Sequence, residues 1–168
     1  MTNNDVLRRI RYVFDFDDAE MIAIFALAEF NAERGHIIAW LQKEEAPAFE
    51  ECKDWILATF LNGLINQRRG KRDGPQAAAE TQLSNNQILI KLKIALNLKS
   101  EDIMSITKLA GFQLSSHELS SFSRKPGHRN YRECKDQVLR NFLKGLQIKE
   151  RGEPREKSIP KWSLPPKT

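Results

Sequence analysis

Apolar residues recur at Val6, Leu7, Ile10, Val13 and Phe14. The i, i+1, i+4, i+7, i+8 spacing gathers them on one stripe of a helix, a pattern that no half-buried strand can carry. The same stripe returns at Ile88, Leu89, Leu92, Ala95 and Leu96, an offset of 82 residues. Asn3-Asn4 and Asn85-Asn86 precede the two stripes and are good N-cap types. A second helix is predicted over Met21, Ile22, Ile24, Phe25, Leu27 and Ala28, and again over Ile103, Met104, Ile106, Leu109 and Ala110. It opens at Asp17-Asp18 or Ser100, where carboxylates in the first turn suit the positive end of the helix.

Phe30 and Phe112 then serve as apolar plugs. A third helix carries Ile37, Ile38, Trp40 and Leu41, or Leu119 and Phe122, with Asn31 and Ser115-Ser116 as its caps. A loop of about seven residues follows, broken by Pro47 or by Pro126-Gly127. The fourth helix is the clearest, with Ile56, Leu57, Phe60, Leu61 and Leu64 matched by Val138, Leu139, Phe142, Leu143 and Leu146. Gly70 and Gly152 stand where a left-handed C-cap would end it. Gly63 and Gly145 lie inside it, each costing about 1 kcal/mol relative to Ala, so a close helix approach is the natural reason for both.

From Asn3–Gly70 to Asn85–Gly152, 19 of 68 positions are identical, without a gap. The chain is one small unit used twice. We therefore expect an all-α fold of two tandem homologous four-helix units, packed as a pseudo-two-fold pair. Repeat 1 spans 1–70, a linker 71–83, repeat 2 84–152, and a Pro-rich, disordered tail 153–168. A unit of about 70 residues has a limited core, so the copies should share one.

Charge divides the copies. Residues 1–70 carry 8 Lys and Arg against 12 Asp and Glu, a net of −4; residues 84–152 carry 13 against 6, a net of +7. The net charge of +5 conceals this split. No apolar run approaches the ~20 residues that cross a bilayer, and the polar start Met1–Asp5 has no signal-peptide core. The chain reads as soluble and cytoplasmic, with no membrane partner.

The Asn-Asn pairs, the segment Phe49-x-x-Cys52-x-Asp54-x-x-Leu57-x-x-Phe60-Leu61-Asn62-Gly63-Leu64, and its counterpart from His128 through Asn130-Tyr131, Cys134-x-Asp136 and Phe142-Leu143-x-Gly145-Leu146 resemble the YehS-like family. These are bacterial proteins with two tandem copies of a helical domain of unknown function. The resemblance covers residues 2–152. It implies a helical bacterial cytosolic protein and brings no activity with it.

Candidate chemistry is sparse. Cys52 and Cys134 occupy equivalent places near the start of each fourth helix, where a thiol can be acidified into a nucleophile or redox sensor. Their acidic neighbours Glu51 and Asp54, or Glu133 and Asp136, oppose a thiolate. No His stands at matching places in the two copies, so a duplicated Cys–His unit is missing, and a buried small apolar role fits better. Asp54 and Asp136 are expected to cap the fourth helix or to bond back to the loop before it. Two Cys and three His without close spacing suit no zinc site, and no Gly-rich phosphate loop occurs. We expect no catalytic residues, cofactor, metal or small-molecule substrate, and no enzyme.

The loop before the fourth helix is more telling. In the first copy it reads Lys43-Glu44-Glu45-Ala46-Pro47-Ala48-Phe49-Glu50-Glu51, and in the second Arg124-Lys125-Pro126-Gly127-His128-Arg129-Asn130-Tyr131-Arg132. The net charge of the loop has turned from acidic (one Lys against four Glu) to basic (four Lys and Arg, no acid). Arg124, Lys125, His128, Arg129, Tyr131 and Arg132 form the candidate binding surface. The first expectation is a non-catalytic binding or adaptor protein with a protein partner or self-association, acidic loop to basic loop. The alternative is a nucleic-acid-binding regulator, DNA or RNA, since cations around an aromatic suit phosphate contact and base stacking. Residues Ile103 to Lys125 also have the outline of a helix-turn-helix, but the connection is long and Glu29 replaces Gly111 in the first copy. The tail carries the large apolar groups Trp162 and Leu164.

Overall fold

The computed structural model describes residues 1–152, which form eight helices: α1 (Asn3–Phe14), α2 (Asp18–Leu27), α3 (Arg34–Leu41), α4 (Asp54–Arg69), α5 (Asn85–Ala95), α6 (Ser100–Leu109), α7 (Ser116–Phe122) and α8 (Asp136–Arg151). No strand occurs among the described residues. The fold is all-α, and the second copy repeats the first helix for helix. The disordered tail expected over 153–168, with Trp162 and Leu164, lies outside the described residues.

Thr2 and Ser84, one position ahead of the Asn pairs, start α1 and α5. The Thr2 hydroxyl accepts the Asp5 amide while the Asp5 carboxylate accepts the Thr2 amide. Ser84 and Gln87 exchange the same two bonds. The expectation that the Asn pairs cap these helices is thus corrected: a hydroxyl box already satisfies the amides, which frees both Asn side chains for other partners. The cap expected at Asn31 falls at Glu33, and α7 opens on Ser115 as expected. The connections into the fourth helices run over 42–53 and 123–135, longer than the loop expected, because turn bonds such as Phe49 N to Ala46 O hold the chain out of helix there. α2 and α6 lead into equivalent left-handed residues, Glu29 (φ 60°) and Gly111 (φ 75°). The Glu-for-Gly exchange therefore leaves the turn intact, at a cost of about 1 kcal/mol for the Cβ.

α4 packs on α2 of its own copy and on α5 of the other; α8 packs on α6 and on α1 in the same way. The first helix of each copy is therefore seated on the fourth helix of its sister, which makes the pair pseudo-two-fold and merges the two cores. Phe25 of α2 packs at a tilt against Phe60 of α4 and Trp40 of α3, with ring centroids 5.2 and 5.5 Å apart. The second copy places Thr107 where Phe25 stands, its hydroxyl donating to the Met104 carbonyl. Gly63 and Gly145 mark the crossings of α4 over α2 and α8 over α6. A Cβ there would stand 2.0 Å from the Ile24 carbonyl oxygen and 1.9 Å from that of Ile106.

Candidate functional site

The Asn pair, the Cys and the Asp of each copy come together, but as a clamp rather than a reactive centre. Asn4, 2% exposed, donates from Nδ2 to the Trp40 carbonyl (2.9 Å) and the Glu50 carbonyl (2.8 Å) and accepts the Cys52 amide (3.0 Å). Asn86 does the same with Phe122 (3.1 Å), Arg132 (2.8 Å) and Cys134 (2.9 Å). Asn3 and Asn85 donate to the Cys52 and Cys134 carbonyls and to Asp54 and Asp136. One side chain thus pins both ends of the loop between the third and fourth helices to the start of the first helix.

Asp54 and Asp136 also reach the residue that leads into the sister copy's first helix. The Leu83 amide donates to Asp54 Oδ2 (2.9 Å), and the Met1 amino group donates to Asp136 Oδ2 (2.8 Å). The bond from Met1, followed by that from Asn85, holds the Asp136 carboxyl below the usual carboxylate range. The expected capping role of these Asp residues gives way to a brace, because each first helix begins directly over the sister's fourth helix.

Cys52 and Cys134 stand two residues ahead of α4 and α8, and both are buried. Burial first, then the carboxylates of Asp54 and Glu51, push the Cys52 thiol up to about 12; burial with Asp136 and Glu133 does the same for Cys134. At mildly alkaline pH both therefore stay protonated and shielded. Iodoacetamide is expected to leave both thiols of the native protein unmodified there, and to label both in guanidinium. Labelling at similar rates in the two states would contradict it. The unfolded thiols ionise near 9.0 and the folded ones only near 12, so their contribution to folding is complete below pH 9 and is lost as pH rises from there through 12. No group of three or more His, Cys, Asp or Glu among the described residues could hold a metal ion.

An open groove lies where the basic loop faces the start of α5. It encloses about 770 Å³, within the range of ligand pockets. Leu83, Ile90, Phe122 and the half-buried Tyr131 give it an apolar floor, and Arg124 and Lys125 form its rim. Asp54 closes one end with both oxygens already bonded. The equivalent groove of the first copy, about 470 Å³, is crossed by Arg8, whose Nη1 donates to the Gln42 carbonyl (2.6 Å) and whose Nη2 pairs with Asp5. Glu44 and Glu51 line it. Ile90 and Gln87 stand where Arg8 and Asp5 would, so the second groove is wider, more apolar and without that internal ion pair.

Of the six residues expected to form the binding surface, Arg124, Lys125 and Tyr131 line this groove. His128, Arg129 and Arg132 are exposed on the same loop but do not line it. His128 is occupied in the turn, its Nδ1 accepting the Asn130 amide (3.0 Å). The Ser121 carbonyl accepts the Arg132 amide (3.2 Å), so the loop is closed on itself. The opposite wall (Leu83, Gln87, Ile90) went unseen in the sequence reading. Its one signal is that Ile90 and Ile94 are apolar residues off the α5 stripe, where α1 has Arg8 and Tyr12.

Residues 3–70 and 85–152 each match the family described as "Protein of unknown function (DUF1456)". The "Uncharacterized protein YehS" of Escherichia coli (strain K12) is 40% identical over 151 residues, covering 89% of this chain and 97% of that protein. No solved structure matches the chain.

Proposed function

The chain belongs to the DUF1456 family, and from that premise we propose that it is a non-catalytic binding or adaptor module that acts through the basic loop of its second copy. One observation carries this reading: the same clamp presents the same loop twice, once acidic over a narrower, charge-lined groove and once basic over a wider, apolar-floored one. Scaffolding that is kept in both copies while one surface diverges in charge and shape supports recognition by that surface. The residues with reactive potential are spent on structure, as the buried thiols and the bonded Asp pair illustrate. No helix among the described residues is long and apolar enough to cross a membrane, and the location proposed is the cytoplasm.

The test is the full-length variant in which Arg124, Lys125, Arg129 and Arg132 are all changed to Glu, with folding checked by circular dichroism. Loss of the proteins that co-purify with the wild type, or a change of oligomeric state, is expected. An unchanged set and an unchanged state would overturn the reading. A second reading, nucleic-acid binding, draws on the exposure of all four cations. It requires binding that falls steeply with salt, by roughly one counterion per phosphate neutralised. Titration against duplex DNA, single-stranded DNA and structured RNA separates the two.

A further inference from the structure

Resting on the binding reading above, we infer that the groove between α5 and the loop 124–131 takes a segment of another protein that carries one large apolar side chain flanked by acidic residues. The floor argues for the apolar anchor. Leu83, Ile90, Phe122 and Tyr131 meet there in a space of about 770 Å³, and such a concave apolar floor rewards a single inserted side chain. The rim argues for the flanking acid. Arg124 and Lys125 stand at the lip, exposed. The first copy supplies its own comparison: there Arg8 crosses and narrows the groove and donates to the Gln42 carbonyl. Arg124 is the counterpart of Gln42, and Ile90 has no group to offer its carbonyl, which is left for an incoming peptide amide.

The same geometry disfavours a nucleic acid in this groove. Phe122 is buried and Tyr131 half-buried, so the groove offers one partly exposed ring where a run of stacked bases needs several. The carboxylate of Asp54 at the closed end repels a phosphate backbone passing through, whereas a short peptide can keep its own carboxylates at the basic lip.

The first copy also provides the test. Ile90→Arg combined with Gln87→Asp gives the second groove the contents of the first, a solution the fold already accommodates. The probe is a pool of short peptides in which leucine, phenylalanine or tryptophan is flanked on both sides by glutamates, titrated into the full-length protein and followed by amide NMR. Binding is expected to shift Leu83, Ile90 and Tyr131, and to weaken ~10-fold or more in the double variant, whose loop cations are untouched. A pool with lysine for glutamate, or serine for the apolar residue, is expected to bind no better than the double variant. The inference is overturned if the glutamate pool causes no shifts, if the double variant binds it as wild type does, or if oligothymidylate shifts the groove at lower concentration. It is equally overturned if wild type self-associates and the double variant is monomeric, since the occupant would then be a second copy. Failure here with the quadruple charge reversal still effective would place binding on the outer loop and leave the broader reading standing.

Discussion

Gly145→Ala is expected to destabilise the protein by about 3 kcal/mol or more. In an exposed helix the same change would stabilise by about 1 kcal/mol, because Ala loses less backbone entropy than Gly. Here the new Cβ would lie 1.9 Å from the Ile106 carbonyl oxygen. A backbone oxygen cannot rotate away, so α8 must lift off α6, and with it the contacts of Phe142, Leu143 and Leu146. Gly63→Ala meets the Ile24 carbonyl at 2.0 Å and should behave alike. Gly35→Ala is the control, since nothing lies within 4 Å of a Cβ at that position of α3. Urea titrations should show midpoints lowered for the two close-contact variants, with melting lowered by about 10 °C, and unchanged or raised for Gly35→Ala. A neutral Gly145→Ala would mean that α6 and α8 are not in contact there.

The second large effect belongs to the buried Asn. Asn86→Leu keeps the approximate shape but leaves the Cys134 amide and the Phe122 and Arg132 carbonyls without their partner. At 1–3 kcal/mol for each buried group stranded, a loss of about 4 kcal/mol is expected, enough to threaten a small protein. Asn86→Asp separates hydrogen bonding from shape. Its carboxylate can still accept the Cys134 amide but points the other oxygen at two carbonyls, so its folded pKa is pushed above the unfolded value. The penalty relative to wild type is then smallest below about pH 4 and grows as pH rises through the folded pKa. Chemical denaturation of both proteins at acidic and neutral pH reads this directly. An equal penalty at the two pH values would show that the side chain is not facing the carbonyls. Because Asn86 also holds Arg132, the amides of the basic loop should exchange faster in either variant.

What was legible in the sequence lay on single helices or in their repetition. The stripes at Val6 to Phe14 and Ile88 to Leu96 placed α1 and α5, and a glycine in both fourth helices pointed to close approach, which the carbonyls of Ile24 and Ile106 now account for. The acidic neighbours of Cys52 and Cys134 correctly argued against a thiolate. The recurring Asn pairs and Cys-x-Asp segments carried a family resemblance that the match to DUF1456 shows to be right. What could not be read was the work of those motifs. The partners of Asn4 lie between 36 and 48 residues away in sequence, and no local pattern announces a carbonyl waiting at that distance. Capping was the nearest local explanation and was off by one residue, since Thr2 and Ser84 are equally good caps. The groove escaped for the same reason: its two walls come from α5 and from a loop about 35 residues later, and only their packing makes a cavity.

Seating each first helix on the sister's fourth helix also sets an order of events during synthesis. Of the eight helices, α1 leaves the ribosome first, and its main partner α8 is made last. Until then the inner stripe of Val6, Leu7, Ile10 and Val13 has only the local contacts of α3 and α4 to shelter it. The nascent first copy is thus a half-finished core with a sticky face, the kind of intermediate that chaperones hold, and the slow step is closing the longest loop in the molecule. Before α8 arrives, a neighbouring nascent chain can offer its own fourth helix instead, and domain-swapped dimers are the misassembly this topology invites.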